Sequence, residues 1–173
     1  ITLVLADGAA GQRGLLHQWR LGEPAPSTTV EAHSDNILSL TLSRDGKKLA
    51  TGGADNLVKV WESATLKETA KIEGHAGHVL ALAFDPEAGT LASGAADKEI
   101  KVWDLATREM RMLLGDRSAA VTAVMWAPDA SSLTYAAING RVRSVTELKS
   151  HDGVRISSSS GKDNGIANLS AMP

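Results

Sequence analysis

Residues able to do chemistry recur in this chain at a fixed interval. His33 and His75 stand 42 residues apart, and each is followed 22 residues later by an aspartate, Asp55 or Asp97. The same interval of 42 separates Thr51 from Ser93 and Trp61 from Trp103. Hydroxyl, imidazole and carboxylate together are the groups of a nucleophile–base set, and His with Asp could ligate a metal. A working site, however, needs different groups converging on one point, whereas repetition gives each histidine its own local partners. The expected arrangement is therefore two copies of one hydrogen-bonded chain that braces the structure. No HExxH, paired-carboxylate or Ser-His-Asp pattern is present, and no catalytic residue, metal or cofactor is expected.

Three glycine or serine motifs fail on context. Gly8, Gly11 and Gly14 in DGAAGQRG are spaced like a phosphate loop, but the segment LLHQWRL that follows reads as a strand, not the required helix. An enlarged hairpin loop is expected instead. SSSSGK before Asp163 lacks both the first glycine (Ile156 stands there) and the Ser/Thr of a Walker loop. Asn168-Leu169-Ser170 is a formal glycosylation sequon inside an expected strand.

The elements that position the recurring residues are strands. The 42-residue interval also links Trp19 to Trp61, Leu42 to Phe84 and Trp126, and Pro86 to Pro128. A period near 42 falls in the window for four-stranded propeller blades. In residues 75–116 the pattern is β throughout. VLALAF is a doubly buried run, LASGA is small and close-packing, IKVWDL alternates, and MRMLL is a more exposed fourth strand. Between the first two, DPEAG supplies a turn, with Pro86 fixing φ and Gly89 free to take positive φ. Residues 33–74 repeat the unit. Residues 1–32 carry its last three strands, and 117–158 form a degenerate copy. Residues 159–173 hold a polar loop and then IANLSAMP (166–173), which matches a first strand. Lys59, Lys101, Arg141 and Arg143 are expected on solvated strand faces.

These residues resemble the WD40 repeat family over nearly the whole chain. The likeness rests on Gly74-His75 opening a unit, Asp97 in the turn and Trp103-Asp104 closing the third strand. Ala32-His33, Asp55 and Trp61-Glu62 match in the preceding unit. The resemblance implies an all-β fold of four-stranded antiparallel propeller blades, about four in number. These form either an open arc cut from a longer ring, the preferred reading, or a ring closed by 166–173 beside 1–6. It also implies a structural relay through Trp103, Ser93, His75 and Asp97, and another through Trp61, Thr51, His33 and Asp55. Arg117, Tyr135, Asn139 and Val145 occupy the four positions in the degenerate unit, where no relay is expected. That unit should lean on Trp126, Val121 and neighbouring apolar contacts. The loop GAAGQRG and the ending TELKSHDG further resemble long bacterial propeller proteins.

For function, the resemblance implies a non-catalytic scaffold that binds a protein or peptide through its upper rim. The rim positions carried over are Asn36, Leu38, Ala54, His78, Leu80, Ala96, Thr122 and Ile138. Several are apolar, which suits a protein partner better than nucleic acid. A formal charge of −2 gives no electrostatic reason for nucleic acid as partner, and no apolar run approaches the roughly 18 residues that span a bilayer. Hydrophobic content of 43% with 22% charged residues is that of a globular chain. Zero cysteines exclude disulfides, thiolate metal sites and covalent haem within this segment, and leave the compartment open. Exposed blade ends would favour self-association. The alternative reading is an accessory propeller domain of a larger bacterial enzyme or c-type cytochrome protein, its chemistry elsewhere on the parent chain.

Overall fold

A computed structural model describes residues 2–8, 11–114 and 119–146, and the backbone of 157–159. Among these residues the chain is all β, arranged as four antiparallel sheets. The first blade has three strands, β1 (Thr2–Asp7), β2 (Gly14–Arg20) and β3 (Thr28–His33). The second has β4 (Ile37–Leu42), β5 (Lys48–Gly53), β6 (Val58–Glu62) and β7 (Lys67–Ile72). The third has β8 (Val79–Phe84), β9 (Thr90–Ala95), β10 (Ile100–Asp104) and β11 (Met110–Leu114). The fourth has β12 (Val121–Trp126), β13 (Ser132–Ala137), β14 (Val142–Thr146) and β15 (Ser157–Ser159). Each sheet is a meander in which sequence neighbours pair, as tight turns between short strands require.

Strand periodicity gives every blade two faces, and the blades bury them against one another. Leu16 and Ala32 of the first blade pack with Leu49, Trp61 and Leu66 of the second. Ala50, Val58, Val60, Ala70 and Ile72 then meet Val79, Leu82, Leu91 and Trp103 of the third. Ala92, Ile100, Val102 and Leu114 meet Val121, Leu133, Tyr135 and Val145 of the fourth. The degenerate fourth blade is thus held by apolar contacts, with Val124 and Trp126 packed beside that cluster. Trp126 also donates its indole N–H to the Ala83 carbonyl of the third blade at 3.2 Å.

Small residues on the second strands are a packing requirement. A Cβ at Gly94 would lie 2.5 Å from Val121 Cγ1, and one at Gly52 the same distance from Val79 Cγ1. Each glycine lets the next blade's innermost strand pass at close range.

The turns repeat as closely as the strands, in some cases without glycine. Gly46, Ala88 and Ala130 all take positive φ at equivalent places, as do Asn56, Lys98 and Gly140. The left-handed residue of the DPEAG turn is therefore Ala88, not Gly89. The register set by the flanking strands decides which residue bends, against the residue's own preference.

Two further expectations change. Lys101 is buried, donates to the Gly74 carbonyl and lies 3.1 Å from Glu99; Lys59 pairs with Glu68 at 3.1 Å and sits over the Trp61 ring. Both lysines stand two residues before a buried tryptophan, so strand alternation places them on its covered face. In the fourth blade, Ser157–Ser159 pairs with β14 as an outer strand. A serine run has no apolar alternation, and backbone pairing alone defines this strand. The IANLSAMP segment, the SSSSGK motif and the sequon lie outside the described residues.

Gly94→Val should overfill the contact with Val121 and Val124 and destabilise the chain by about 1–3 kcal/mol. A lowered urea midpoint at unchanged slope would register this.

Candidate interaction rim and its polar bracing

In the third blade, the imidazole of His75 bridges strands through both nitrogens. Nδ1 lies 2.8 Å from Asp97 Oδ2, and Nε2 lies 2.7 Å from Ser93 Oγ. The Trp103 indole N–H donates to the same Ser93 oxygen at 2.7 Å. One proton arrangement satisfies all four groups: Nδ1–H donates to the carboxylate, and the serine hydroxyl donates to Nε2 while accepting from the indole. Asp97 also accepts the backbone N–H of Ala76 and Glu99, which ties the turn to the loop before β8. The second blade repeats the chain through Asp55, His33, Thr51 and Trp61 at 2.8, 2.8 and 2.9 Å.

Burial governs the protonation of this chain. It pushes both imidazoles below the usual histidine value of 6.5, against the hydrogen bonds and charges of Asp55 and Asp97. Burial alone would raise the two carboxyls. The hydrogen bonds from the imidazoles and from backbone N–H groups instead hold them below the usual 3.8. Neutral histidine facing an ionised aspartate, with the Thr51 and Ser93 hydroxyls fully buried, completes a satisfied hydrogen-bonded chain that braces the blade.

The first and fourth blades lack this chain for visible reasons. By strand register, Leu5 opposes His17 as Thr51 opposes Lys59, so the hydroxyl position carries an apolar side chain. Tyr135 and Val145 are buried at the Ser93 and Trp103 positions of the fourth blade. Asn139 keeps the turn function of Asp97, accepting the N–H of Arg141 at 3.2 Å. Arg117 lies outside the described residues.

Sequence reading missed a second polar chain. His17 reaches Asp7 Oδ2 through Nε2 at 3.0 Å and Thr29 Oγ1 through Nδ1 at 2.9 Å. These residues sit on three adjacent strands, and their types do not recur at the 42-residue interval. The one available signal was a histidine where the other blades carry Lys59 and Lys101. Gly8 and Gly14 belong to the β1–β2 hairpin, whose loop folds against Asp35, Asn36 and Ile37. At Gly14 a side chain would meet the Ile37 Cγ1 atom and the Asp35 carbonyl.

The bracing holds up one edge of the stacked blades. In three blades the loop before the innermost strand bonds to the turn after the second strand. Ala54 N donates to Asn36 O at 2.8 Å, Ala96 N to His78 O at 2.9 Å, and Ile138 N to Ala120 O at 2.9 Å. This ladder brings Asn36 beside Ala54, and His78 beside Ala96. Leu38, His78, Ala96, Thr122 and Ile138 are exposed there, Ile138 by 74%; Asn36, Ala54 and Leu80 are half-buried. At the opposite ends of the inner strands lies a cavity of about 540 Å³, lined by Leu42, Phe84, Met125 and Trp126 among others. No cluster of three or more metal-ligating side chains occurs among the described residues.

The profile of the WD domain, G-beta repeat family matches residues 24–62 and 66–104. These two segments are WD40 repeats. Both matches end on the Trp-Glu or Trp-Asp pair that closes a third strand. Residues of this chain are 40% identical over 60 positions to "Protein LST8 homolog" of Dictyostelium discoideum, covering 32% of this chain and 20% of that protein. Identity to "Vegetative incompatibility protein HET-E-1" of Podospora anserina is 37% over 41 residues, 24% of this chain and 3% of that protein. The matched part thus spans a fifth or less of either relative's length. Repeats of this family serve generally as protein-interaction scaffolds.

Two outcomes test the bracing. Ser93→Ala strands both the His75 Nε2 and the Trp103 N–H, and should lower stability by about 1–3 kcal/mol for each buried group left alone. Ser93→Thr copies Thr51 and should retain it, as denaturant melts of both variants will show. The second outcome concerns pH. The unfolded histidines bind protons near 6.5, above the folded ones, so stability should fall as pH drops from about 7 through 6.5. It should fall again below about 4, where unfolded aspartates protonate first. The urea midpoint followed from pH 7 to 5 should slope less in a His33→Gln/His75→Gln variant.

Proposed function

We propose that this chain is a non-catalytic scaffold that holds a protein or peptide partner on the rim formed by Asn36, Leu38, Ala54, His78, Leu80, Ala96, Thr122 and Ile138. The observation that carries the reading is the repeated backbone bond between the pre-strand loop and the turn, seen at Asn36–Ala54, His78–Ala96 and Ala120–Ile138. It places equivalent side chains of successive blades along one edge, at the spacing of the blades. A row of small and apolar groups interrupted by Asn36, His78 and Thr122 offers van der Waals contact and a few polar anchors. Such a surface complements a polypeptide better than a phosphate backbone, because it presents no row of cations. The buried relays stiffen the same edge from below, so the surface is formed before a partner arrives.

A photo-crosslinking residue at position 78, 96 or 138 should capture a partner, whereas one at Leu113 on the outer strand β11 should not. His78→Glu and Leu80→Glu should abolish capture with the far-ultraviolet circular dichroism unchanged. Capture that survives both substitutions would exclude this rim.

A further inference from the structure

Successive blades meet through equivalent residues, and one difference between two such interfaces opens a cleft. Where the first blade meets the second, Gln18 is buried and its Nε2 donates to two carbonyls, Ser63 O at 3.0 Å and Ala64 O at 3.2 Å. Both carbonyls belong to the turn that follows β6. By register Gln18 opposes Thr28 as Val60 opposes Ala70, so Val60 holds the Gln18 position where the second blade meets the third. Leu105 and Ala106, in the turn after β10, stand 42 residues beyond Ser63 and Ala64. Val60 carries no amide, and among the described residues the Leu105 and Ala106 carbonyls accept no hydrogen bond. A cleft of about 370 Å³ lies there, with Val60, Trp61, Ala70 and Leu105 as its apolar wall. Two cross-blade bonds tie its sides together: Lys48 Nζ donates to Ala88 O at 2.7 Å, and Arg108 Nη2 to Thr69 O at 3.0 Å.

We infer that this cleft is a binding site for a small neutral ligand that carries a primary carboxamide on an apolar or aromatic body. The chain's own Gln18 supplies the template: one amide nitrogen has two N–H donors, and two successive turn carbonyls accept them. A ligand amide meeting the Leu105 and Ala106 carbonyls would repeat that pair, while its body covers the apolar wall. The volume falls within the roughly 300–1,000 Å³ of small-molecule sites, which are mostly apolar with a few placed polar groups. The charged lining does not select an ion. Lys48 is already engaged by the Ala88 carbonyl, and Lys47 and Glu62 carry opposite signs. The cleft lies where β5 begins and β6 ends, at the strand ends away from the rim, so it is independent of the scaffold reading. A partner's glutamine presents the same chemistry, and the probes below separate the two sources.

Benzamide is the probe, titrated into the isotope-labelled 173-residue chain and followed by backbone amide shifts. Saturable shifts centred on Val60, Ala70 and Leu105 are expected, with a Kd of about 1 mM for a fragment of this size. N,N-Dimethylbenzamide, which keeps the ring and loses the N–H donors, should bind about tenfold more weakly or worse. Val60→Gln supplies the amide from within and should abolish benzamide binding. In that variant the introduced side-chain amide should exchange slowly with solvent and the urea midpoint should be held or raised, a readout that needs no ligand. Val60→Met fills the cleft with apolar atoms alone and should block benzamide as well, which keeps the test decisive whatever the folding of the glutamine variant. Absence of saturable shifts, equal binding of the dimethyl compound, or benzamide binding that survives Val60→Gln or Val60→Met overturns the inference. So does an introduced amide that exchanges freely in a folded Val60→Gln chain. Tighter binding of acetyl-Gly-Gln-Gly dimethylamide than of benzamide would assign the cleft to a partner's glutamine and overturns the free ligand.

Discussion

No blade of this chain can bury both of its faces alone, and the structure follows from that constraint. A short meander has two sides, and strand alternation puts apolar groups on both. The only way to remove both from water is to lay the next blade alongside. Trp61 and Trp103 meet the small and branched residues of the preceding sheet, while Gly52 and Gly94 admit the next innermost strand. Burying a side chain of this size contributes about 1.5–3 kcal/mol, so each interface outweighs any single polar contact in the chain.

The hydrogen-bonded chains through His33 and His75 depend on that burial. In water, an imidazole between a carboxylate and a hydroxyl would contribute little, since each group has solvent as an alternative partner. Enclosed beneath the edge of the sheet, the same groups must be satisfied, and four groups of fixed reach admit one geometry. The turn, the loop before the innermost strand and the third strand are thereby locked together. Where Leu5 takes the place of the hydroxyl, the first blade uses a different polar set, Asp7, His17 and Thr29.

Much of this was legible in the chain. The four-strand unit showed itself in the spacing of Trp19, Trp61 and Trp103, and the relay groups fell at the same spacing. Reading failed where a residue's setting differs from its own preference. Lys101 looks like a surface residue by composition, yet alternation places it on the face of a buried tryptophan, where the Gly74 carbonyl and Glu99 receive its charge. Gly89 looks like the left-handed residue of its turn, yet Ala88 takes that conformation because the strands on either side dictate where the chain bends. The serine strand β15 has no apolar signal at all.

By itself, then, the sequence determined the repeat, the strand order within a blade and the identity of the bracing groups. These rest on local periodicity and on residues recurring at one interval, and both are properties of the chain alone. Tertiary structure decided which faces are covered. Leu49 is 2% exposed because Leu16 and Ala32 of the first blade pack against it, a partnership that only the stacking of the sheets creates. It also decided that His17 meets Asp7 and Thr29, because cross-strand register sets which side chains lie side by side, and no spacing along the chain encodes that.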